Sequence, residues 1–358
     1  LAIGAVNDLD VDGNTLAVAA NSSGNNELHI YNVSDPANPV FQGSMNFAGD
    51  INGVAADDSR DRVYLATSDN AQELSVVDIT TPSSPSVVGS INLSGPFNAN
   101  DVVYDGTEVY LSRQAGGGAA REFYVIDASS TSTPAVIGEL ELGVDAFGMS
   151  KRGTGVFLAT EANAAELQIV DVITPSVPSL AGSYDDPGIN DGSDVFVSGN
   201  TAFLSTLAGG DEFVILNVAA TSTPSLVGSL DAGGTVNAVA VDSVENYAYL
   251  ATGAANLEFR VVDISVPGTP VFKTSLDLNG DAWGLDFRGF DVFLGTRNGA
   301  GELQVARGFV NGWPSAQRSG SINLGGNIDG SAAAYACGLA FVGTLQNGSG
   351  PELYLVNA

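Results

Sequence analysis

Five hard oxygen side chains, Asp185, Asp186, Asn190, Asp191 and Asp194, fall within one ten-residue stretch, Asp185 to Asp194, that also holds two glycines and a proline. Carboxylate and amide oxygens are the ligands of Ca²⁺, and a turn-rich loop is where such ligands converge. The spacing is not that of an EF-hand, so an ordinary acidic loop stands as the alternative reading. A second set of oxygens recurs along the chain as Asn7-Asp8, Asn52, Asn100-Asp101, Asn190-Asp191, Asn237 and Asp329. These side chains either ring a channel mouth, where Ca²⁺ or Na⁺ fits, or cap loops. Parts for nucleophilic catalysis are scarce. The one histidine is His29, and the one cysteine is Cys337 in the apolar run Ala334 to Leu339, which reads as a buried, inert thiol. Gly116-Gly117-Gly118 lacks the lysine and following helix of a phosphate loop and reads as a flexible loop between Arg113 and Arg121. No catalytic residue and no cofactor-binding residue is assigned, and the reading is of a protein that is not an enzyme.

The elements that position these residues are legible from one recurring glutamate. Glu27, Glu73, Glu122, Glu166, Glu212, Glu258, Glu302 and Glu352 each open a short apolar run, at spacings of 46, 49, 44, 46, 46, 44 and 50 residues. A carboxylate repeated eight times suits a structural task, accepting backbone N–H groups from the adjacent loop. Each unit offers four strand-like pieces separated by Gly, Asn, Asp, Ser and Pro. The first is rich in small residues. The second and third are near-continuous apolar runs, such as Val156-Phe157-Leu158-Ala159 and Leu167-Gln168-Ile169-Val170, as strands packed on both faces require. The fourth follows a proline, here Pro39, Pro85, Pro134, Pro178, Pro224, Pro270 or Pro314, which an outer edge tolerates. The Asp or Asn before that proline (Asn32, Asp78, Asp127, Asp171, Asn217, Asp263) predicts an Asx turn.

A period of this size with four strands per unit predicts an all-β fold, a β-propeller of eight four-stranded blades spanning residues 1–358 as a single domain. The last unit ends at its third strand, and Leu1-Ala2-Ile3 aligns with the ends of fourth strands. The N-terminal strand is therefore expected to complete the last blade and close the ring. Seven blades plus an attached repeat is the alternative. The opening in mid-repeat without methionine leads us to expect a signal, an anchor or a further domain upstream of residue 1.

Forty-one acidic residues stand against 12 basic ones, of which only Lys151 and Lys273 are lysines, for a net charge of −29. Such a surface repels phosphate backbones and anionic lipid, which argues against nucleic acid and against direct membrane insertion by this segment. It concentrates cations and suits high salt or secretion. Trp313 lies in the most divergent unit, either as a rim contact or packed on its own blade. Asn21, Asn32, Asn92 and Asn347 open glycosylation sequons.

The strings Glu73-Leu74-Ser75-Val76-Val77-Asp78-Ile79, Glu166-Leu167-Gln168-Ile169-Val170-Asp171-Val172 and Glu258-Phe259-Arg260-Val261-Val262-Asp263-Ile264 resemble the LVIVD repeat. The resemblance covers essentially the whole chain. It implies a propeller of the kind found in bacterial and archaeal proteins, many of them secreted or surface-attached, and implies no particular activity. The expected role is a non-enzymatic extracellular or cell-surface module that binds other protein subunits or surface glycans, for instance as a subunit or decoration of a surface filament or layer. Its contacts are expected from the loops at 113–121, 185–194, 207–211 and 346–351. The rival is a carbohydrate-binding or hydrolytic propeller that uses the channel mouth, with Ca²⁺, where Phe97, Phe147, Tyr184 and Trp283 are the aromatic residues at hand.

Overall fold

The computed structural model describes residues 6–20, 26–32, 40–116, 121–188, 190–208, 210–288, 291–296, 303–307, 317–322, 329–336, 339–345 and 353–357. Among them the only regular elements are strands. The first sheet holds β1 (Val6–Asp12), β2 (Thr15–Ala20), β3 (Leu28–Asn32) and β4 (Val40–Met45); the second holds β5 (Ile51–Asp57), β6 (Arg62–Thr67), β7 (Leu74–Asp78) and β8 (Ser86–Ile91). The third comprises β9 (Ala99–Asp105), β10 (Glu108–Arg113), β11 (Phe123–Asp127) and β12 (Ala135–Leu140), and the fourth β13 (Ala146–Arg152), β14 (Gly155–Thr160), β15 (Leu167–Asp171) and β16 (Ser179–Tyr184). In the fifth are β17 (Gly192–Ser198), β18 (Thr201–Thr206), β19 (Phe213–Asn217) and β20 (Ser225–Leu230), and in the sixth β21 (Val236–Asp242), β22 (Tyr247–Thr252), β23 (Phe259–Asp263) and β24 (Val271–Leu276). The seventh runs through β25 (Ala282–Arg288), β26 (Asp291–Thr296), β27 (Leu303–Arg307) and β28 (Gln317–Ile322), and the eighth through β29 (Asp329–Ala336), β30 (Leu339–Leu345) and β31 (Leu353–Asn357).

Strand order within every sheet follows the chain, so each sheet is an up-and-down meander. Seven sheets carry a fourth, outer strand and the eighth has three among the described residues. Leu1-Ala2-Ile3, expected to supply that missing strand, lies outside the described residues.

Two compact units divide the chain. One contains residues 1–146, 174–178 and 334–358, and the other 147–173 and 179–333. Inside each, the core forms between consecutive sheets. In the first unit, Val63, Leu65 and Val77 face Ala17, Ala19, Leu28 and Ile30 of the first sheet. Their strand neighbours Tyr64, Ala66, Leu74 and Val76 face Val102, Val109, Leu111 and Ile126 of the third. Alternate side chains of a strand leave on opposite faces, so a strand that serves two cores must be apolar at every position. In the second unit, Phe157, Ala159, Leu167 and Ile169 likewise pack on Leu204, Val214 and Leu216.

The outer strands carry a recurring joint. Each has a bulge opposite the third strand, as at Val76/Val77 and Ile169/Val170, and in β4, β8, β12, β16 and β20 a glycine follows, Gly43, Gly89, Gly138, Gly182 or Gly228, where β24 has Thr274. The next sheet's proline-bracketed turn rests on that glycine. A Cβ there would lie 1.8 to 2.3 Å from the carbonyl oxygen of Pro82, Thr131, Pro175, Thr221 or Pro267 respectively, closer than any real contact.

Candidate functional site

The six recurring glutamates among the described residues are buried, and each fastens the loop that leaves its own sheet. One carboxylate oxygen accepts the backbone N–H of the residue 20 positions on. Glu73 takes Leu93 at 2.8 Å, Glu122 takes Leu142 at 2.7 Å, Glu166 takes Asp186 at 2.7 Å, Glu212 takes Ala232 at 2.8 Å and Glu258 takes Leu278 at 2.9 Å; Glu27 takes Phe47 in the same way. The structural task expected of these residues is the one they perform. Burial pushes the Glu27 and Glu166 carboxyls up, opposed by these same backbone donors.

The recurring Asn and Asp residues, most of them at the start of the first strands rather than before them, fasten one sheet to the next. Asn7 Nδ2 donates to Ile51 O at 2.9 Å, Asn52 to Ala99 O at 2.7 Å, Asn100 to Ala146 O at 2.8 Å and Asn237 to Ala282 O at 2.7 Å. Ser193 Oγ does the same to Val236 O at 2.6 Å. Carboxylates on the same strands accept from the neighbouring edge. Asp8, Asp10 and Asp12 take the N–H groups of Val54, Ala56 and Asp58 at 2.8, 2.8 and 2.9 Å. Alternating aspartates on β1 thereby cap alternate donors of β5, an edge that would otherwise leave them unpaired. A recess of about 320 Å³ beside them is lined by Asp8, Asp10, Val54–Ala56 and Val102–Tyr104. The polar groups read as a ring of oxygen ligands are, at these positions, bonded to the backbone of the next sheet.

The loop singled out for Ca²⁺ divides in two. Asp186 and Asn190 come together, with Asn190 Nδ2 donating to Asp186 Oδ2 at 2.7 Å and Tyr184 Oη to Asp186 Oδ1 at 3.4 Å. Both residues are buried. Burial raises the Asp186 carboxyl, and Asp211 and Asp185 add to the rise against the bonds from Asn190 and Tyr184. Asp185 is exposed, and Asp191 is half-buried, with its carbonyl accepting Leu207 N at 2.9 Å. Asp194 belongs to β17, where its carboxylate accepts Val195 N at 2.8 Å and Val239 N at 3.2 Å. It acts there as an inter-sheet fastener like Asp8. Among the described residues no three His, Cys, Asp or Glu side chains converge as a metal-holding group. The residue that sequence reasoning left out is Glu166, which grips the loop through Asp186 N. The signal was available, since 186 lies 20 positions after a recurring glutamate, the offset seen in five other sheets.

His29 is fully buried, with Nε2 bonded to Asn26 O at 2.7 Å and Phe41 packed on the ring at 6.2 Å. Burial lowers it to about 4, so it is neutral at pH 7. Arg113, expected to open a contact loop, is instead fully buried. It donates to Gly95 O and Phe97 O at 2.9 and 3.0 Å and stacks its guanidinium 5.4 Å from the Phe97 ring centroid. Gly116 presses on the same ring, where a Cβ would fall 2.0 Å from Phe97 Cε2; the rest of the glycine run, Gly117 and Gly118, lies outside the described residues. So do Cys337, Trp313, Asn21, Asn347 and the loop at 346–351. The Asx turns are present in five sheets. Asp78, Asp127, Asp171, Asn217 and Asp263 each accept the N–H two residues on, at 2.8 to 2.9 Å. Burial pushes Asp263 up, but hydrogen bonds from Lys273 and Ser265 outweigh it and hold the carboxyl at about 2.

Solved structures similar to this one share its fold at low identity. The computationally designed Ika8 protein matches with a TM-score of 0.73 at 13% identity, covering 99% of this chain and 96% of its own. BamB from Moraxella catarrhalis matches at 0.65 and 11%, covering 97% and 92%. The WD40 β-propeller domain of Doa1 matches at 0.59 and 11%, covering 84% and 92%. No curated protein matches the sequence. The four-stranded meanders are thus the blades of a β-propeller. The LVIVD repeat itself matches residues 3–46, 61–93, 162–186, 190–232 and 233–277, which is more than half of the sequence, and the chain belongs to the LVIVD-repeat family.

Proposed function

We propose that this propeller is a non-enzymatic protein-interaction module displayed outside the cell, where its outer strands bind other protein subunits. One observation carries the reading. The outer strands β4, β12, β16, β20 and β24 present apolar side chains where an edge strand ordinarily presents lysine. Val40 and Phe41 on β4 and Val136 on β12 are exposed in the first unit, and Leu180 on β16, Leu226 and Val227 on β20 and Val271 on β24 in the second. Lys273 on β24 is the single lysine among these strands. Unpaired strand edges bearing apolar side chains are the surfaces that other chains add to. In the first unit an open groove of about 380 Å³ runs between Val136–Glu139 and the turn Ser176–Pro178. The chain's net charge of −29 keeps copies apart at low salt, so association strengthens as salt screens it. The extracellular placement draws support from that charge, from the near-absence of lysine and from the surface-attached proteins that the repeat resembles. A subunit or decoration of a surface filament or layer is the concrete form.

Electron microscopy and peptide identification on sheared cell-surface material of the native organism test it. The expected result is the protein in regular filaments or sheets. Recovery solely from the cytosolic fraction would overturn the placement. A monodisperse chain at high concentration and high salt, with binding on a glycan array, would replace the reading with that of a carbohydrate-binding propeller.

A further inference from the structure

The recurring glutamate has two oxygens, and the second is treated differently in different blades. In the second blade Glu73 Oε1 faces Arg113 Nη2 at 3.4 Å, a buried cation supplied by the end of the next blade's second strand. In the sixth blade Glu258 Oε1 accepts Asn256 N at 2.8 Å. As with Glu122 Oε1 in the third blade, Glu166 Oε1 in the fourth is buried with no partner. The residue that stands there in Arg113's place, ending β18, is Thr206, too short to supply a cation; its Oγ1 donates to Ala208 O at 3.4 Å.

A second orphan is tied to the same loop residue. Asn190 is fully buried and its Oδ1 also has no partner. Both orphans are tied to one residue: Glu166 Oε2 accepts Asp186 N, and Asn190 Nδ2 donates to Asp186 Oδ2, each at 2.7 Å. The free oxygens are the other branches of that same carboxylate and that same amide. Two buried acceptors without donors beside a buried carboxylate are costly. A water would satisfy the acceptors but leave the charge. Asp185 and Asp211 add more negative charge around Asp186. A hard cation answers both needs, as the Arg113 guanidinium does in the second blade.

We propose that the fourth blade binds Ca²⁺ through Glu166 Oε1 and Asn190 Oδ1, with the Asp186 carboxylate supplying neighbouring charge. Water and loop carbonyls fill the remaining positions of a six- to eight-coordinate ion. The ion replaces, from solution, the cation that the second blade carries as a side chain. It pins Asp186 and Asn190 to their blade. Asp194, spent on the backbone, takes no part.

The test uses the whole chain, freed of metal by chelator and held in high salt so that diffuse binding to its acidic surface is screened. Melting temperature is followed against Ca²⁺ for the wild type and for Asn190→Ala. The expected result is a saturable rise in the wild type that Asn190→Ala loses. No rise in the wild type, or the same rise in both, would overturn the proposal. Should Asn190→Ala fail to fold, Tb³⁺ replaces Ca²⁺ and its emission is excited through tyrosine. Tyr184, bonded to Asp186, is placed to sensitise it, and Tyr184→Phe keeps the ring. Loss of most of the emission in Tyr184→Phe supports the site; emission unchanged in that variant overturns it.

Discussion

Glu73 and Arg113 meet at 3.4 Å with neither side chain exposed to solvent. The glutamate's other oxygen holds Leu93 N at 2.8 Å, and the arginine's remaining donors reach Gly95 O, Phe97 O and Tyr124 Oη. One ion pair thus ties the second blade's third strand, the loop that leaves that blade and the third blade's second strand into one buried network. Breaking such a pair from one side strands the other charge, at a cost of about 3–5 kcal/mol. Arg113→Met is expected to lose that much, read as a fall in the urea midpoint. Glu73→Gln with Arg113→Met removes both charges and is expected to recover part of the loss. A double variant no better than the single one would mean the arginine matters for its carbonyl contacts alone.

The outer-strand glycines make a sharper steric case. A Cβ on Gly89 would lie 2.2 Å from Thr131 O and 2.6 Å from Pro134 Cδ, both on the third blade's turn. Neither group is the end of a flexible side chain, so the turn must lift. Overpacking of this kind costs about 1–3 kcal/mol. Gly89→Ala is therefore expected to lower the melting temperature. Gly210→Ala, where nothing lies within 4 Å of the added carbon, is expected to leave it unchanged or raise it slightly. Equal effects at the two positions would refute the joint.

The aspartates of β1 act as acceptors for a neighbouring edge, and a charge is not needed for that. Asp10→Ala leaves the N–H of buried Ala56 without the bond it makes at 2.8 Å, a loss of about 1–3 kcal/mol. Asp10→Asn keeps an oxygen at that place and is expected to retain most of the stability. Thermal melts of the two variants separate the acceptor from the charge, because identical losses would assign the effect to the carboxylate's charge.

How far the sequence reaches is visible in these same residues. The glutamate period and the alternation of apolar runs are local patterns repeated many times, so the blades and their strand order are readable from them. The Asx turns are readable as well, since Asp78 and its counterparts bond only two residues away. What a side chain touches far along the chain is not readable. Asn7 and Asp8 announce themselves as polar and recurrent, yet their partners, Ile51 O and Val54 N, belong to another blade. Arg113 misled because an arginine in a glycine-rich stretch is ordinarily solvated; here Gly116 is one of the residues that lets Phe97 lie under it. Asp194 misled by proximity, since the loop ends at Gly192 and a strand carries Asp194 toward Val239.

His29 offers a prediction with a sign. Its folded value is lowered to about 4 by burial, whereas an unfolded histidine titrates near 6.5. Between these values the unfolded chain takes up a proton that the folded chain refuses. The contribution of His29 is therefore full above about pH 6.5 and is lost as the pH falls toward 4, by about 3 kcal/mol over the whole window. Glu27 nearby titrates in the opposite sense, because burial raises it, so the total pH profile mixes the two. Comparison with His29→Gln separates them. Glutamine can still donate to Asn26 O but does not titrate, and Glu27 contributes equally to both proteins. The stability of the wild type relative to His29→Gln is expected to shrink steadily from pH 7 to pH 4.5. Parallel curves would mean that the imidazole is solvated in solution and that its bond to Asn26 does not hold it neutral.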